Sequence, residues 1–367
     1  MKYKRGRVEK VLLSIIAIII AVIFLIMLVL YLESPGKVKP FVDENNKVIK
    51  NSISEKTFVE INGVQQGMII KGRNIDNPII LFVHGGPGMP EYFLADKYFD
   101  KIYDNFTICF WEQRDCGMSY NKDIDPAAVT VEVLVDDISA VAQYLENRFN
   151  QQKIYLMGHS WGSFIGIQAA AEKPELYYSY IGIGQEVNYV ESERRNYEYL
   201  IDYYSDKNDT SMVKKLQKYD VLGSDEGLNQ YLSSPIRDNA MHNAGVGTMH
   251  KMNSVFTGIF LPVMGCNAYT VTEKINLWKA KNLLNQNSAL SEECKNTDLF
   301  EKVSELKIPV YFCSGKYDYT VNVDLSQEYY EKIKAPKKDF FLFEHSAHSP
   351  CFEEEDNFIE VLLNICQ

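Results

Sequence analysis

The sequence lacks the patterns that mark nucleic-acid-binding, zinc-binding or disulfide-rich proteins. Its 367 residues carry 38 lysines and arginines against 49 aspartates and glutamates, a formal net charge of -11. This balance excludes binding through a broad basic patch, so we predict no nucleic-acid partner. The seven cysteines are an odd number without a close Cys-x-x-Cys pair, which predicts neither a disulfide framework nor a zinc site. No His-Glu-x-x-His motif occurs either, and we predict no metal and no cofactor.

One apolar run near the N-terminus is long enough to cross a membrane. Val11 to Leu32 is interrupted only by Ser14, and these residues as a helix would reach about 33 Å, against a hydrocarbon core of about 30 Å. No small-residue cleavage site follows, so we predict an uncleaved anchor in residues 1–32 that binds the lipid bilayer. The basic residues Lys2, Lys4, Arg5, Arg7 and Lys10 precede it. The positive-inside rule then places the N-terminus in the cytoplasm and the rest of this single-pass protein outside the cell membrane.

Beyond the anchor, the hydrophobic pattern alternates between strands and helices. Residues 33–54 contain Pro35, Gly36 and Pro40 and are predicted to be a stalk. Residues 55–184 begin with a hairpin around Asn62-Gly63, and buried strands then alternate with helices, which predicts a mostly parallel sheet with helices on both faces. Residues 185–296 lack buried-strand runs and are predicted to be a helical cap. Residues 297–367 return to the strand pattern and complete the core.

The segment Gly158-His-Ser-Trp-Gly162 follows an apolar strand and precedes a predicted helix. Strand, sharp turn and helix form the context in which Gly-x-Ser-x-Gly lifts a nucleophilic serine above the sheet of an α/β-hydrolase. We therefore predict Ser160 as the nucleophile of acyl transfer. Such a reaction needs N–H donors aimed at the developing oxyanion, and the N–H of Trp161, directly after the nucleophile, is the first candidate.

The second oxyanion donor is expected from an earlier loop. The run Ile79 to Val83 is a predicted buried strand that ends in His84-Gly-Gly-Pro-Gly88. In hydrolases of this type the loop after an early strand supplies the second N–H. An ordinary Gly-Pro turn is the alternative reading of the same residues.

A serine hydroxyl becomes nucleophilic when a histidine accepts its proton and a carboxylate fixes that histidine. Candidates follow two C-terminal strands, in the chain order serine, acid, histidine. Asp318 follows Ile308–Cys313, with Asp324 as a rival that is better placed to begin a helix. His345 and His348 both follow Asp339–Phe343. The cap histidines His242 and His250 are expected to be structural or exposed.

The combined motifs resemble those of proline iminopeptidases, serine aminopeptidases with the α/β-hydrolase fold. The matching segments are His84-Gly-Gly-Pro-Gly88, Trp111-Glu-Gln-Arg-Asp-Cys-Gly-Met-Ser119, Gly158-His-Ser-Trp-Gly162, Gly315-Lys-Tyr-Asp318 and Ser346-Ala-His-Ser349. The resemblance runs from about Phe58 to the C-terminus. It implies Ser160 as nucleophile, Asp318 as acid, His348 as base, and the N–H groups of Gly86 and Trp161 as oxyanion donors. Glu353 follows the histidine at the family's usual spacing.

The sequence departs from that family at two places. Asp115 stands where the family usually has glycine, and the cap lacks the Trp-Glu pair whose glutamate helps hold the substrate's α-ammonium. A desolvated carboxylate is needed to select an ammonium. Glu186, at the entrance of the cap, is the tentative substitute, and Glu191, Glu193 and Glu273 are alternatives.

These expectations define a membrane-anchored serine hydrolase. The resemblance implies an aminopeptidase that releases an N-terminal residue such as proline from a small peptide through an acyl-enzyme. The same catalytic groups would serve an esterase or amidase acting on a small non-peptide acyl substrate. A non-catalytic surface-binding protein on a hydrolase scaffold is the remaining alternative. The sequence makes no prediction of the oligomeric state.

Overall fold

A computed structural model describes residues 2–287 and 289–366, and its centre is an eight-stranded sheet. The strands in chain order are β1 Ile53–Ile61, β2 Val64–Gly72, β3 Ile79–Val83, β4 Thr107–Trp111, β5 Ile154–His159, β6 Tyr177–Ile183, β7 Val310–Gly315 and β8 Lys338–Phe343. Their order across the sheet is β1-β2-β4-β3-β5-β6-β7-β8. β1 and β2 pair antiparallel, as do β2 and β4, whereas all later neighbours are parallel. This confirms the predicted mostly parallel sheet.

Helices cover the sheet and fill the connections between strands. The first part of the chain contains α1 Lys2–Leu32, α2 Tyr92–Tyr98, α3 Ile102–Asn105, α4 Val131–Phe149 and α5 Trp161–Glu172. Between β6 and β7 lie α6 Tyr189–Asp206, α7 Thr210–Leu216, α8 Asp225–Leu232, α9 Pro235–Ala244, α10 Leu261–Gly265, α11 Val271–Asn287, α12 Ala289–Asn296 and α13 Leu299–Lys302. The C-terminal part has α14 Val323–Lys332, α15 Pro350–Glu353 and α16 Glu355–Ile365. Short 3-10 turns occupy Gly117–Ser119, Pro126–Ala128 and Pro174–Leu176, and Phe256–Phe260 is a π-helical turn that leads into α10.

The central strands are apolar because both of their faces are covered. Every residue of β3, β4 and β7 is buried, as expected for parallel strands between two helical layers. Thr130 caps the start of α4, because its hydroxyl accepts a hydrogen bond from the Val133 N–H at 3.2 Å. Asn150 caps the end of α4 in the left-handed conformation with φ 52°. Caps of this kind satisfy backbone groups that a helix end leaves unpaired.

The insertion between β6 and β7 contains helices and has an apolar cluster of its own. Tyr197, Leu200 and Tyr204 of α6 are buried there with Leu228 and Tyr231 of α8. This agrees with the predicted helical cap. Because the insertion follows the carboxyl end of β6 and returns before β7, it lies over the edge of the sheet at which ligands bind in open α/β folds.

The N-terminal helix stands apart from this core. Its segment Lys10–Leu32 is long and apolar enough to cross a membrane by length and composition, and none of that segment is buried within the protein. Residues 33–54, predicted as a stalk, pack against the core through the buried side chain of Phe41. β1 begins at Ile53, two residues before the predicted start of the core at residue 55, because its pairing with β2 extends as far as Gly72.

Candidate active site

The carboxyl ends of β3, β5, β7 and β8 meet beneath the helical insertion, where a cavity of about 540 Å³ is open to the surface. Its lining includes Gly86, Ser160, Trp161, Glu186 and His348. These residues are far apart in sequence, and the parallel arrangement brings them together because the loops after parallel strands lie at the same edge of a sheet. Asp318 lies immediately behind His348, inside the protein.

Ser160 occupies a strained turn between β5 and α5. Its backbone has φ 55° and ψ -124°, a conformation that non-glycine residues rarely adopt and that costs about 1–3 kcal/mol. The turn is possible because Gly158 and Gly162 lack side chains: a Cβ at Gly158 would collide with the Gly162 backbone, and one at Gly162 with the Val83 carbonyl. The Ser160 N–H donates to the Ile183 carbonyl at 2.9 Å. These backbone contacts fix Ser160 in its strained conformation.

Asp318 and His348 form a buried pair. His348 Nδ1 lies 2.9 Å from Asp318 Oδ2, and Asp318 Oδ1 accepts the N–H groups of Thr320 and Val321, both at 3.0 Å. The carboxylate is therefore fixed on three sides. An acceptor at Nδ1 keeps the proton of a neutral imidazole on Nδ1 and leaves Nε2 as the free base.

His348 Nε2 is buried and has no hydrogen-bond partner among the described residues. The structure therefore brings Ser160 and His348 into one cavity without joining their reactive atoms by a hydrogen bond. Catalytic hydrogen bonds are often long in unliganded enzymes and shorten when substrate binds. The orphaned nitrogen is the polar atom that would accept the serine proton.

The loop after β3 lies against the serine, since a Cβ at Gly85 would be 3.2 Å from Ser160 Cβ. Within the described part of the chain, neither the Gly86 N–H nor the Trp161 N–H donates a hydrogen bond. His84 holds this loop: its Nδ1 donates to the Gly85 carbonyl at 2.7 Å, and its Nε2 accepts the Gln113 N–H at 3.1 Å. Burial lowers the pKa of His84 to about 4, so its imidazole is neutral and serves as a structural link.

Comparison with known proteins identifies the family. Residues 78–355 match the sequence model of the α/β hydrolase fold. The chain belongs to the α/β-hydrolase family. It is 31% identical over 313 residues to a Bacillus subtilis protein named probable aminopeptidase YbaC, over 85% of this chain and 96% of that protein. It is 27% identical over 293 residues to a Clostridium botulinum proline iminopeptidase, over 78% of this chain and 88% of the relative.

A solved structure shows the same fold. The proline iminopeptidase-related protein of Thermus thermophilus superimposes with a TM-score of 0.60 at 16% identity, over 85% of this chain and 97% of that structure. The predicted family and the predicted α/β-hydrolase fold are confirmed. This hydrolase is thus similar to aminopeptidases and proline iminopeptidases.

The rival acid and base of the hydrolase lie outside its cavity. Asp324 is exposed in the first turn of α14, as its predicted helix-start position requires. The capping residue is Asn322, whose Oδ1 accepts the Leu325 N–H at 3.0 Å. His345 is exposed, and its N–H donates to Glu354 Oε1 at 3.0 Å. The structure pairs Asp318 with His348 and leaves both rivals at the surface.

Of the four candidate carboxylates, Glu186 lines the cavity without a cationic partner among the described residues. It is buried, and burial, with the nearby charge of Glu193, raises its pKa to about 8. Glu193 also lines the cavity, but it is bound by the buried guanidinium of Arg237, whose Nε donates to Glu193 Oε2 at 2.9 Å.

The other two carboxylates are used elsewhere in the hydrolase. Glu191 accepts a hydrogen bond from Arg195 at 2.7 Å on the outer face of α6. Glu273 accepts one from Lys56 at 2.6 Å, and it also caps the start of α11 through the Thr270 N–H at 2.6 Å. Neither lines the cavity that contains Ser160.

Sequence reasoning missed a buried link beside the serine. Glu91 accepts the Gly85 N–H at 2.9 Å and lies 2.8 Å from His159 Nδ1, while His159 Nε2 lies 3.0 Å from the His348 carbonyl. A carboxylate and a carbonyl are both acceptors, so both ring nitrogens must donate, which makes His159 an imidazolium. Burial opposes this charge, but the Glu91 carboxylate raises the pKa of His159 above its ordinary value. The link joins the oxyanion loop, the serine turn and the loop of His348.

The structure shows contacts of three further residues that the sequence did not indicate. His242, expected to be structural or exposed, is buried and lines the cavity. Glu353 accepts the N–H groups of Ala347 at 2.8 Å and His250 at 2.7 Å, which ties the loop of His348 to the cap. Asp115 adopts φ 60°, the left-handed conformation that favours glycine, and its Oδ1 accepts the Asn121 N–H at 3.0 Å. That bond supports aspartate where the family usually has glycine.

Gly184→Ala is expected to disrupt the pair behind the cavity. A Cβ at Gly184 would lie 2.8 Å from His348 Nδ1 and 3.1 Å from Asp318 Oδ2, so the imidazole must shift. A displacement of a catalytic side chain by about 1 Å lowers activity by about 10²-fold. The measurement is kcat/KM for nitrophenyl ester hydrolysis, together with the melting temperature. Gly63→Ala is the matched control, since Gly63 also has positive φ but no atom within 4 Å of the added Cβ. Full activity in Gly184→Ala would contradict the prediction.

Proposed function

We propose that this hydrolase is a membrane-anchored serine aminopeptidase that releases an N-terminal residue, such as proline, from small peptides through an acyl-enzyme. The observation that carries the proposal is one cavity lined by a strained serine, by the free nitrogen of an aspartate-bound histidine and by a buried carboxyl, Glu186, that has no cationic partner among the described residues. In this proposal Ser160 is the nucleophile, His348 the base and Asp318 the acid.

The proposed reaction follows from these positions. Ser160 Oγ attacks the carbonyl carbon of the first residue while His348 Nε2 accepts the hydroxyl proton. The negative oxygen of the tetrahedral intermediate is stabilised by the N–H groups of Gly86 and Trp161. Collapse breaks the C–N bond, and the imidazolium gives its proton to the leaving amine. Water then attacks the acyl-enzyme, with His348 again accepting the proton, and releases the amino acid.

Glu186 is proposed to receive the substrate's α-ammonium. With a pKa of about 8 in the empty cavity, its carboxyl is largely protonated at neutral pH. An approaching ammonium favours the charged carboxylate, because an opposite charge within about 4–6 Å stabilises it. A free amine would therefore gain an ion pair that a blocked amine cannot form.

A substrate panel tests the aminopeptidase proposal. Proline arylamide, its N-acetylated form and a nitrophenyl ester should be compared by kcat/KM. We expect the free amide to be cleaved about 10-fold to 100-fold faster than the blocked amide, since an unpaired buried polar group costs about 1–3 kcal/mol. Equal cleavage of free and blocked amides would reject aminopeptidase specificity.

The pH dependence of KM is a second test of the proposed role of Glu186. Below a pH of about 8 Glu186 becomes protonated, and above about 8 the substrate amine loses its proton. The KM of the free amide should therefore be lowest near pH 8 and rise on both sides, whereas the blocked amide should show no such minimum. Glu186→Gln should remove the minimum, and Glu191→Gln is the matched control that should keep it, because half-buried Glu191 lies outside the cavity that contains Ser160.

An esterase or amidase acting on a small non-peptide acyl compound is the second candidate. The observation in its favour is again Glu186, because a carboxyl that is mostly protonated at pH 7 offers little attraction to a cation before substrate binds. Fast ester hydrolysis with no preference for a free amine in the panel would favour this activity.

The anchor belongs to the same proposal. α1 has the length and composition of a membrane-spanning helix, although signal sequences share these properties. We propose that residues 1–32 remain attached as a cytoplasmic tail and anchor, with the hydrolase outside. Residues 55–184 and 297–367 would then form the core, and residues 185–296 its cap.

A further inference from the structure

The insertion of the hydrolase exposes an apolar face beside the end of the N-terminal helix. We call it the anchor-side face and define it by Phe256, Phe260, Leu261, Ile275 and Trp278. Phe256 is 57% exposed, and Leu261 and Ile275 are each 47% exposed. The Phe256 and Phe260 rings lie 5.2 Å apart, and those of Phe260 and Trp278 lie 5.7 Å apart. The three aromatic rings therefore form one continuous row. A continuous exposed apolar surface is typical of a binding site.

Hydrogen bonds connect this face to the residues that follow α1. Lys274 Nζ donates to the Glu33 carbonyl at 2.8 Å and to Ser34 Oγ at 2.9 Å, and it also donates to the Met264 carbonyl at the end of α10. The Lys37 N–H donates to the Asn267 carbonyl at 3.0 Å. Lys274 adjoins Ile275 in α11, so the apolar face begins next to the point at which α1 ends.

The charge around the face differs from that of the whole protein. Residues 249–287 contain four lysines and one glutamate, in a chain whose formal net charge is -11. The glutamate, Glu273, is already paired with Lys56. Of the four lysines, Lys274 is buried and Lys281 lines the catalytic cavity, whereas Lys251 and Lys279 are exposed. An exposed apolar surface flanked by cationic side chains is typical of helices that lie in the interface of anionic membranes.

We infer that the anchor-side face docks onto the membrane surface, with Phe256 and Leu261 in the headgroup region and the exposed Lys251 and Lys279 near anionic phosphates. The occupant is the bilayer because the face continues directly from a helix long enough to cross it. The inference rests on the proposed anchoring of α1. On the inner side of the same segment, Val255 and Ile259 line the catalytic cavity, so docking would place lipid against one wall of the site.

Quenching by brominated lipids tests the contact in the full-length protein. Trp278→Phe leaves Trp111 and Trp161, which are 1% and 4% exposed, as buried background signals. Phe256→Trp is added to this variant, which is reconstituted into phosphatidylcholine–phosphatidylglycerol vesicles with or without brominated acyl chains. Interfacial helices lie roughly 5–10 Å into the headgroup and acyl boundary, so we expect bromine to reduce the added fluorescence by about twofold.

The matched control is Leu222→Trp in the same background. Leu222 is 49% exposed and lies in another part of the insertion, the loop between α7 and α8. Its fluorescence should be unchanged by bromine. The inference is wrong if the tryptophan at position 256 is not quenched, or if both positions are quenched equally.

Flotation of the same samples tests anchoring by α1 separately from docking of the anchor-side face. Protein that does not float with the vesicles would reject both the anchor and the docked face. Protein that floats without quenching at position 256 would reject docking alone and leave the anchor standing. The readout does not depend on hydrolysis, so the catalytic proposal is tested independently.

Discussion

Ser160→Ala is expected to abolish labelling by a fluorophosphonate probe and to lower kcat by about 10⁴-fold to 10⁶-fold, the range found for loss of the nucleophile in serine hydrolases. The loss is large because Ser160 is the proposed group that forms the acyl-enzyme. The strained turn at φ 55° places its hydroxyl in the cavity that His348 also lines. Labelling is measured by in-gel fluorescence and activity by nitrophenyl ester hydrolysis.

Ser179→Ala is the matched control for that experiment. Ser179 lies on β6, is buried, and its hydroxyl has no hydrogen-bond partner among the described residues. Removing it deletes an oxygen without breaking a bond, so labelling and activity should persist. Labelling that survives in Ser160→Ala would show that another residue is the nucleophile.

His348→Ala is expected to lower kcat by about 10⁴-fold and to prevent probe labelling, because Ser160 then has no base to accept its proton. The effect should exceed that of most other substitutions in the cavity, since the serine and histidine act as a unit. The rate of probe labelling and kcat for the ester are the measurements. Circular dichroism and the melting temperature show whether the variant folds, because this imidazole is buried and packs beside the His159 ring at 4.8 Å.

His345→Ala supplies the comparison, three residues earlier in the same loop. The His345 side chain is exposed, and its one recorded contact uses the backbone N–H, which alanine retains. We expect near-normal labelling and kcat. Loss of labelling in His345→Ala together with its retention in His348→Ala would reverse the assignment of the base.

Much of the site could be predicted because its parts have local signatures. Gly158 and Gly162 flank Ser160 at the spacing that a strand-turn-helix connection needs, and the structure shows both glycines in backbone contact. The order of strand and loop likewise limited the acid to Asp318 or Asp324 and the base to His345 or His348, and the resemblance to proline iminopeptidases implied Asp318 and His348. Their pairing at 2.9 Å follows from the parallel alignment of β7 and β8, which the alternating pattern also predicts.

Other contacts had no local signature. The protonated His159 depends on Glu91, which is 68 residues earlier in the chain, and no spacing rule joins the two. Glu186 could be distinguished from Glu191, Glu193 and Glu273 only after folding. Glu191 pairs with Arg195 of its own helix, whereas Glu193 and Glu273 have cationic partners supplied by distant elements. The place of His242 in the cavity wall depends on how the helices of the insertion pack over the sheet.

The sequence by itself determined the fold class, the serine turn and the apolar N-terminal helix, because each depends on hydrophobic period, glycine spacing or run length within a short segment. Only the tertiary structure decided which carboxyl in the cavity has no cationic partner among the described residues, which histidine is held by an acid, and which apolar face lies beside the end of α1. Those outcomes depend on pairings between distant segments. Burial, charge and hydrogen-bond partners are properties of the folded surroundings, and a side chain acquires them only when the elements pack.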